Sequence, residues 1–267
     1  MAFITVNGVS LHLRPGRQQG RPLVFINSLG TDFRIWHGVA HALRGEGFRF
    51  LFYDKRGHGL SEVGDVPYSM STHVEDLAAV MDACEMKEAI VCGISVGGQV
   101  ALGLSAARPD LVSALVLCDT AHRIGTNQAW DARIARVAAE GIASVWPMTE
   151  KAWFTEGFRK HRAADVAGYR AMVTRCPVGG YIGTCMAIRD TDYTEIARRV
   201  SVPALALCGA EDGSTPPALV RGMADIIPGC EYVEIADAAH MICIEQPQET
   251  ARRIAAFAAR HGLGGPA

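Results

Sequence analysis

The sequence predicts an α/β protein: a mostly parallel sheet covered on both faces by helices, with a helical insertion after the sixth strand. Three observations carry this. A pair of alternating N-terminal runs is followed by short, fully apolar runs separated by segments of helical spacing, as expected of strands buried on both faces. Polar and glycine-rich punctuation sits at the C-terminal ends of those runs, the edge at which open parallel sheets place ligands. Between about residues 120 and 195 the strand pattern stops and only helical spacing remains.

Residues 3–6 and 9–13 flank Asn7-Gly8 and read as a hairpin with a tight turn. Residues 14–22 read as a loop. Leu23-Val24-Phe25-Ile26 is a buried strand leading into Asn27-Ser28-Leu29-Gly30-Thr31, and residues 33–44 form a helix with Phe33, Trp36, Val39, Ala40 and Leu43 on one face. The strand 48–53 ends in Asp54-Lys55-Arg56-Gly57-His58-Gly59. A helix follows over 71–83, with Ser71 or Thr72 as its cap. Residues 89–92 form the fifth strand, 98–107 a helix and 114–118 the sixth strand, which ends at Asp119.

Within the insertion, Trp130, Ile134, Val137 and Ala138 recur at helical spacing, and three of the four tryptophans (130, 146, 153) fall here. This predicts a cap over 120–195 with an aromatic underside, on a core formed by 1–119 and 196–267. Strands resume at 203–208 and 231–235, with a helix-like stretch to Ile226 between them and a final helix over 247–260. The tail 262–267 is the one candidate for disorder.

The 267 residues are 49% hydrophobic and 20% charged with a net charge of −2, ordinary for a soluble globular chain. No basic cluster points to nucleic acid or an anionic membrane. No run reaches transmembrane length, and the N-terminus lacks the pattern of a signal peptide, so a cytoplasmic protein is expected. The eight cysteines form no C-x-x-C pair, which predicts reduced, mostly buried thiols rather than a disulfide framework or a zinc site. No cofactor or metal is expected. The oligomeric state is open, and a homo-oligomer is compatible with the sequence.

The chemistry centres on Gly93-Ile94-Ser95-Val96-Gly97, a G-x-S-x-G placed between a strand and a helix. A serine hydroxyl is a poor nucleophile at neutral pH and needs a base, with an acid to orient that base. The order Ser…Asp…His is met by Ser95, Asp212 after strand 203–208, and His240 after strand 231–235, all at one edge of the sheet. Glu211 and Asp119 compete with Asp212 for the acid's role. The other eight histidines lie in strands, helices, the insertion or the tail, or precede the serine. An oxyanion needs two N–H donors; Val96, after the serine, and Leu29, in the loop after strand 23–26, are the candidates.

With these residues in view, the chain resembles the α/β-hydrolase superfamily and, more narrowly, the 3-oxoadipate enol-lactonases. The Asn27–Asp32 loop, the Tyr53–Gly59 segment and the elbow carry the resemblance, together with the insertion segments at 119–126, 130–134, 153–155 and 187–190. It runs from about residue 3 to 258; residues 211 and 213 depart from the expected pattern. It implies the α/β-hydrolase fold and a small unsaturated five-membered lactone with an acetate arm, opened to 3-oxoadipate in the breakdown of aromatic compounds. Ser95, deprotonated by His240, would attack the ring carbonyl, and the enol would leave. The anionic arm calls for a cation. Arg34 and Arg133 are the candidates, with Trp130 lining the pocket. A general carboxylesterase or a C–C bond hydrolase of the same fold is the alternative. A non-catalytic binding protein on this scaffold is disfavoured by the intact Ser95, Asp212 and His240. A serine at the elbow separates the chain from haloalkane dehalogenases, which use aspartate there.

Overall fold

The computed structural model describes residues 2–16 and 19–264. Eight strands form one sheet: β1 (Ala2–Val6), β2 (Val9–Pro15), β3 (Arg21–Ile26), β4 (Phe48–Tyr53), β5 (Ala89–Ile94), β6 (Val112–Cys118), β7 (Ala204–Gly209) and β8 (Glu231–Ile235). Their spatial order is β1-β2-β4-β3-β5-β6-β7-β8. The first two strands are antiparallel to each other, and β2 is antiparallel to β4. From β4 to β8 every pairing is parallel.

Sequence pattern explains placement. All six residues of β5 and of β7 are buried, and their runs are apolar throughout, so both belong in the middle of a covered sheet. β8 carries Glu231 and Glu234 and is mostly half-buried, which suits the edge it occupies. The β1–β2 turn has φ of 47° at Asn7 and 76° at Gly8, the left-handed pair that a two-residue hairpin requires. Helices Met70–Ala83 and Val96–Ala107 pack on one another, as do His37–Ala42 and Pro247–Arg260.

Several boundaries differ from the sequence reading. The expected helix over 33–44 is a 3₁₀ turn, Phe33–Trp36, followed by a short α-helix, His37–Ala42. Asp32 imposes the tighter start, because its Oδ1 accepts the Arg34 N–H at 3.0 Å. The cap of the next helix is Ser69, not Ser71 or Thr72. Its Oγ accepts the Thr72 N–H at 3.2 Å and its own N–H donates to Thr72 Oγ1 at 3.3 Å, a reciprocal capping box. Strands β2 and β3 eat into the expected 14–22 loop. In the tail, Leu263 is buried and its N–H donates to Ala258 O at 2.7 Å, so this residue of the expected disordered tail is packed, while Gly262 and Gly264 are exposed; residues 265–267 lie outside the described residues.

Between β6 and β7 lie six helices: Asn127–Glu140, Trp146–Trp153, Glu156–His161, Ala163–Thr174, Val178–Arg189 and Thr194–Arg198. The last crosses residue 195, so the chain rejoins the sheet only with β7. Trp146, Trp153, Phe154 and Tyr181 are buried. All eight cysteines are free and six are buried. Among the described residues no helix is long and apolar enough to cross a membrane.

Gly93 closes the space between β5 and the following helix: a Cβ there would lie 2.1 Å from Gly97 O. At Gly157, on an exposed helix, a Cβ would meet nothing within 4 Å. Urea denaturation is expected to show Gly93→Ala losing more than about 2 kcal/mol or failing to fold. Gly157→Ala should gain up to about 1 kcal/mol. Equal stability of the two variants contradicts this reading of the elbow.

Candidate active site

Ser95 directly follows β5 and precedes helix Val96–Ala107, with φ 58° and ψ −123°. A non-glycine residue there is strained, by roughly 1–3 kcal/mol, and must be held. Its N–H donates to Cys118 O, at the end of β6, at 3.0 Å. Its carbonyl accepts the Gly98 N–H at 2.9 Å and the Thr120 hydroxyl at 2.6 Å. A Cβ at Gly97 would lie 2.5 Å from Ile26 O, so glycine lets the helix start against the end of β3.

The loops after β7 and β8 bring Asp212 to His240. Imidazole Nδ1 lies 3.0 and 2.9 Å from the two carboxylate oxygens. Both residues are buried. With two carboxylate oxygens facing Nδ1, the proton of a neutral ring belongs there, which leaves Nε2 as the basic nitrogen. Asp212 is fixed in turn: Oδ1 accepts the N–H groups of Ser214 (2.7 Å) and Thr215 (3.0 Å), and Oδ2 accepts the Thr215 hydroxyl (2.6 Å). Burial alone raises a carboxyl's pKa. Here the charge of His240 and the hydrogen bonds from His240 and Thr215 outweigh it, and Asp212 sits below the usual carboxylate range.

Neither competing acid is hydrogen-bonded to His240. Glu211 is exposed. Asp119 is fully buried, with φ 44°; its Oδ1 accepts the Gly209 N–H at 2.8 Å and its Oδ2 has no partner. Burial, and then the charge of Asp212, push Asp119 well above the carboxylate range. Asp119, Cys208 and Asp212 also form the one cluster with metal-ligand spacing among the described residues. A metal fits it poorly, because the Asp212 carboxylate is already taken by His240, Ser214 and Thr215.

A cavity of about 260 Å³ opens over these residues, lined by Ser28, Leu29, Ser95, Trp130, Arg133 and His240 among others. It therefore unites the predicted nucleophile and base with Leu29, Trp130 and Arg133. Val96 opens the helix behind Ser95. The Gly98 and Gln99 N–H groups are taken by Ser95 O, while the first helical N–H groups have no acceptor within the helix.

Arg34 is not brought to this cavity. It lies in a separate groove and grips Asp32 through Nε (2.9 Å) and a terminal nitrogen (2.6 Å), with its side chain 63% exposed. The Asp32-capped 3₁₀ turn sets that direction. Arg133 instead donates from Nε to Tyr181 Oη at 3.0 Å and from a terminal nitrogen to Thr149 Oγ1 at 2.7 Å. Its guanidinium lies over the Trp130 ring, 5.8 Å from the centroid. No carboxylate lines the cavity among the described residues.

Sequence reasoning missed several supporting residues. Thr215 is legible in retrospect, as the third residue after an aspartate in a turn. Thr120, Thr149 and Tyr181 carry no local signal. Glu245 binds the Thr155 N–H (3.0 Å) and hydroxyl (2.8 Å) and the Ala239 N–H (2.8 Å), tying the insertion to the His240 loop.

Comparison with known proteins agrees with this architecture. The family described as the alpha/beta hydrolase fold matches residues 21–247, and the chain belongs to that family. Among its relatives is 3-oxoadipate enol-lactonase 2 of Acinetobacter baylyi, 30% identical over 251 residues, covering 92% of this chain and 91% of that protein. The crystal structure of the enol-lactonase from Burkholderia xenovorans superposes with a TM-score of 0.93 at 33% identity, covering 97% of this chain and all of that one. A thermophilic esterase from Thermogutta terrifontis, solved with malate bound, superposes at 0.90 with 25% identity and 97% coverage of both chains.

Carbon-13 NMR titration of the aspartate carboxyls is expected to show Asp212 losing its proton below the ordinary range and Asp119 well above it. Titration of both at the ordinary value contradicts the electrostatics described.

Proposed function

We propose that the protein is a serine hydrolase that opens a small carboxylate-bearing enol-lactone, with 3-oxoadipate enol-lactone as the preferred substrate. Ser95 is the nucleophile, His240 the base and Asp212 the acid that orients it. Attack of Ser95 Oγ on the ring carbonyl passes its proton to His240 Nε2 and forms a tetrahedral oxyanion facing the Leu29 and Val96 N–H groups. Collapse expels the enol oxygen, to which His240 returns the proton, and the product ketonises. Water activated by His240 then releases the acyl group. Residues 120–195 act as the cap that closes the cavity.

One observation carries the substrate class. Arg133 is the only permanently charged residue lining the cavity among those described, it is held in place by Tyr181 and Thr149, and no carboxylate there neutralises it. A guanidinium so placed suits a small anion. The enol-lactonase relatives, and the malate bound to a related esterase, support the same reading. The same esterase also favours the alternative, a carboxylesterase of broader scope.

Loss of enol-lactone absorbance and release of nitrophenol from p-nitrophenyl acetate separate the two. The lactone should be turned over with the higher kcat/KM. Turnover of the ester without the lactone would sink the lactonase assignment. Arg133→Met should raise KM for the anionic lactone roughly 10- to 100-fold, the worth of a charged hydrogen-bonded pair. Its kcat/KM for the neutral ester should stay within about threefold.

A further inference from the structure

Lys55 is among the most deeply buried side chains of the protein, yet no step above uses it. Its Nζ donates to Asn27 O at 2.8 Å and to Ser28 O at 3.1 Å. Ser28 C=O and Leu29 N–H are two ends of one planar peptide group. Three further donors converge on the same Ser28 oxygen: Thr31 Oγ1 at 3.0 Å, the Thr31 N–H at 3.3 Å and Asn27 Nδ2 at 3.4 Å. Ser28 and Leu29 both line the Ser95 cavity. A cation on the carbonyl end of an amide withdraws electron density and makes its N–H a stronger donor, and low dielectric magnifies the effect. The convergence also fixes the plane of the peptide.

We propose that Lys55 is a positioning residue for catalysis, which orients and polarises the Ser28–Leu29 peptide so that the Leu29 N–H stabilises the oxyanion. The inference rests on Ser95 being the nucleophile and Leu29 a donor, as proposed above. Burial pulls the Lys55 ammonium down to about 7, while Cys176, Asp54 and Asp32 push it up. His58 and His73 also face it, and the charge of Lys55 helps to hold both below the usual histidine range. The cation is therefore available at and below neutrality and fades above it, so the help given to the oxyanion fades in the same direction.

The test uses p-nitrophenyl acetate kinetics and two ligands. Phenylboronic acid forms a tetrahedral anionic adduct on a serine, and benzoate forms none. Lys55→Met should lower kcat about tenfold, less than the 10²–10³ for outright loss of an oxyanion donor. KM should change by less than about twofold, and phenylboronic acid affinity should fall with kcat while benzoate affinity is kept. Thr31→Val removes a neutral donor from the same oxygen and should lower kcat and boronate affinity about threefold; it carries the test if Lys55→Met does not fold. A folded Lys55→Met, or failing that a Thr31→Val, whose boronate-to-benzoate ratio matches the wild type overturns the proposal, whatever its melting temperature. Ser95→Ala separates the two levels. If it keeps ester turnover, the hydrolase reading itself fails; if it abolishes turnover while the other variants are neutral, only the role of Lys55 fails.

Discussion

The constraint on which the structure depends is the backbone of Ser95, held at a positive φ where a non-glycine residue does not rest unaided. Three elements hold it. The end of β6 accepts its N–H, the first turn of the following helix and Thr120 donate to its carbonyl, and the glycines at 93 and 97 let β5, β3 and that helix meet at contact distance. The parallel order β3-β5-β6-β7 then follows a simple geometric need. Each of these strands ends at the same edge, and each supplies one part of the site from its terminal loop.

Around that fixed point the polar groups form nested supports. Thr215 and the Ser214 amide hold Asp212, and Asp212 holds His240. Behind the 27–31 loop, Lys55 and Thr31 hold the Ser28 carbonyl. The segment between β6 and β7 contributes Arg133, the one permanently charged side chain lining the cavity among the described residues, braced by Tyr181 from a helix nearly fifty residues further along the chain. Glu245 joins the insertion to the loop that carries His240.

Much of this was legible in the sequence because it is written in local signals. Apolar runs ending in polar loops gave the sheet and its functional edge, and the Asn7-Gly8 turn gave the hairpin. The elbow pattern and the chain order of Ser95, Asp212 and His240 pointed to residues that the fold does gather. What escaped depends on direction or on distant partners. Arg34, just after the 27–31 loop, and Arg133, in the insertion, are equal candidates in the sequence. Only the Asp32-capped 3₁₀ turn, which no periodicity announces, turns Arg34 outward. Ser69 escaped as a cap because its partner Thr72 was itself a good cap residue. Lys55 carries no signal of its own within the Asp54–Gly59 segment, because the carbonyls of Asn27 and Ser28 that hold its ammonium lie more than twenty-five residues away in the chain.

Covalent labelling tests the central claim most directly. Treated with a fluorophosphonate and digested, the protein should carry a single adduct, on Ser95 by peptide mass mapping, and replacing His240 with alanine should suppress it. Labelling at another residue, or none on the folded wild-type protein, would contradict the account of this elbow as the seat of a hydrolytic nucleophile.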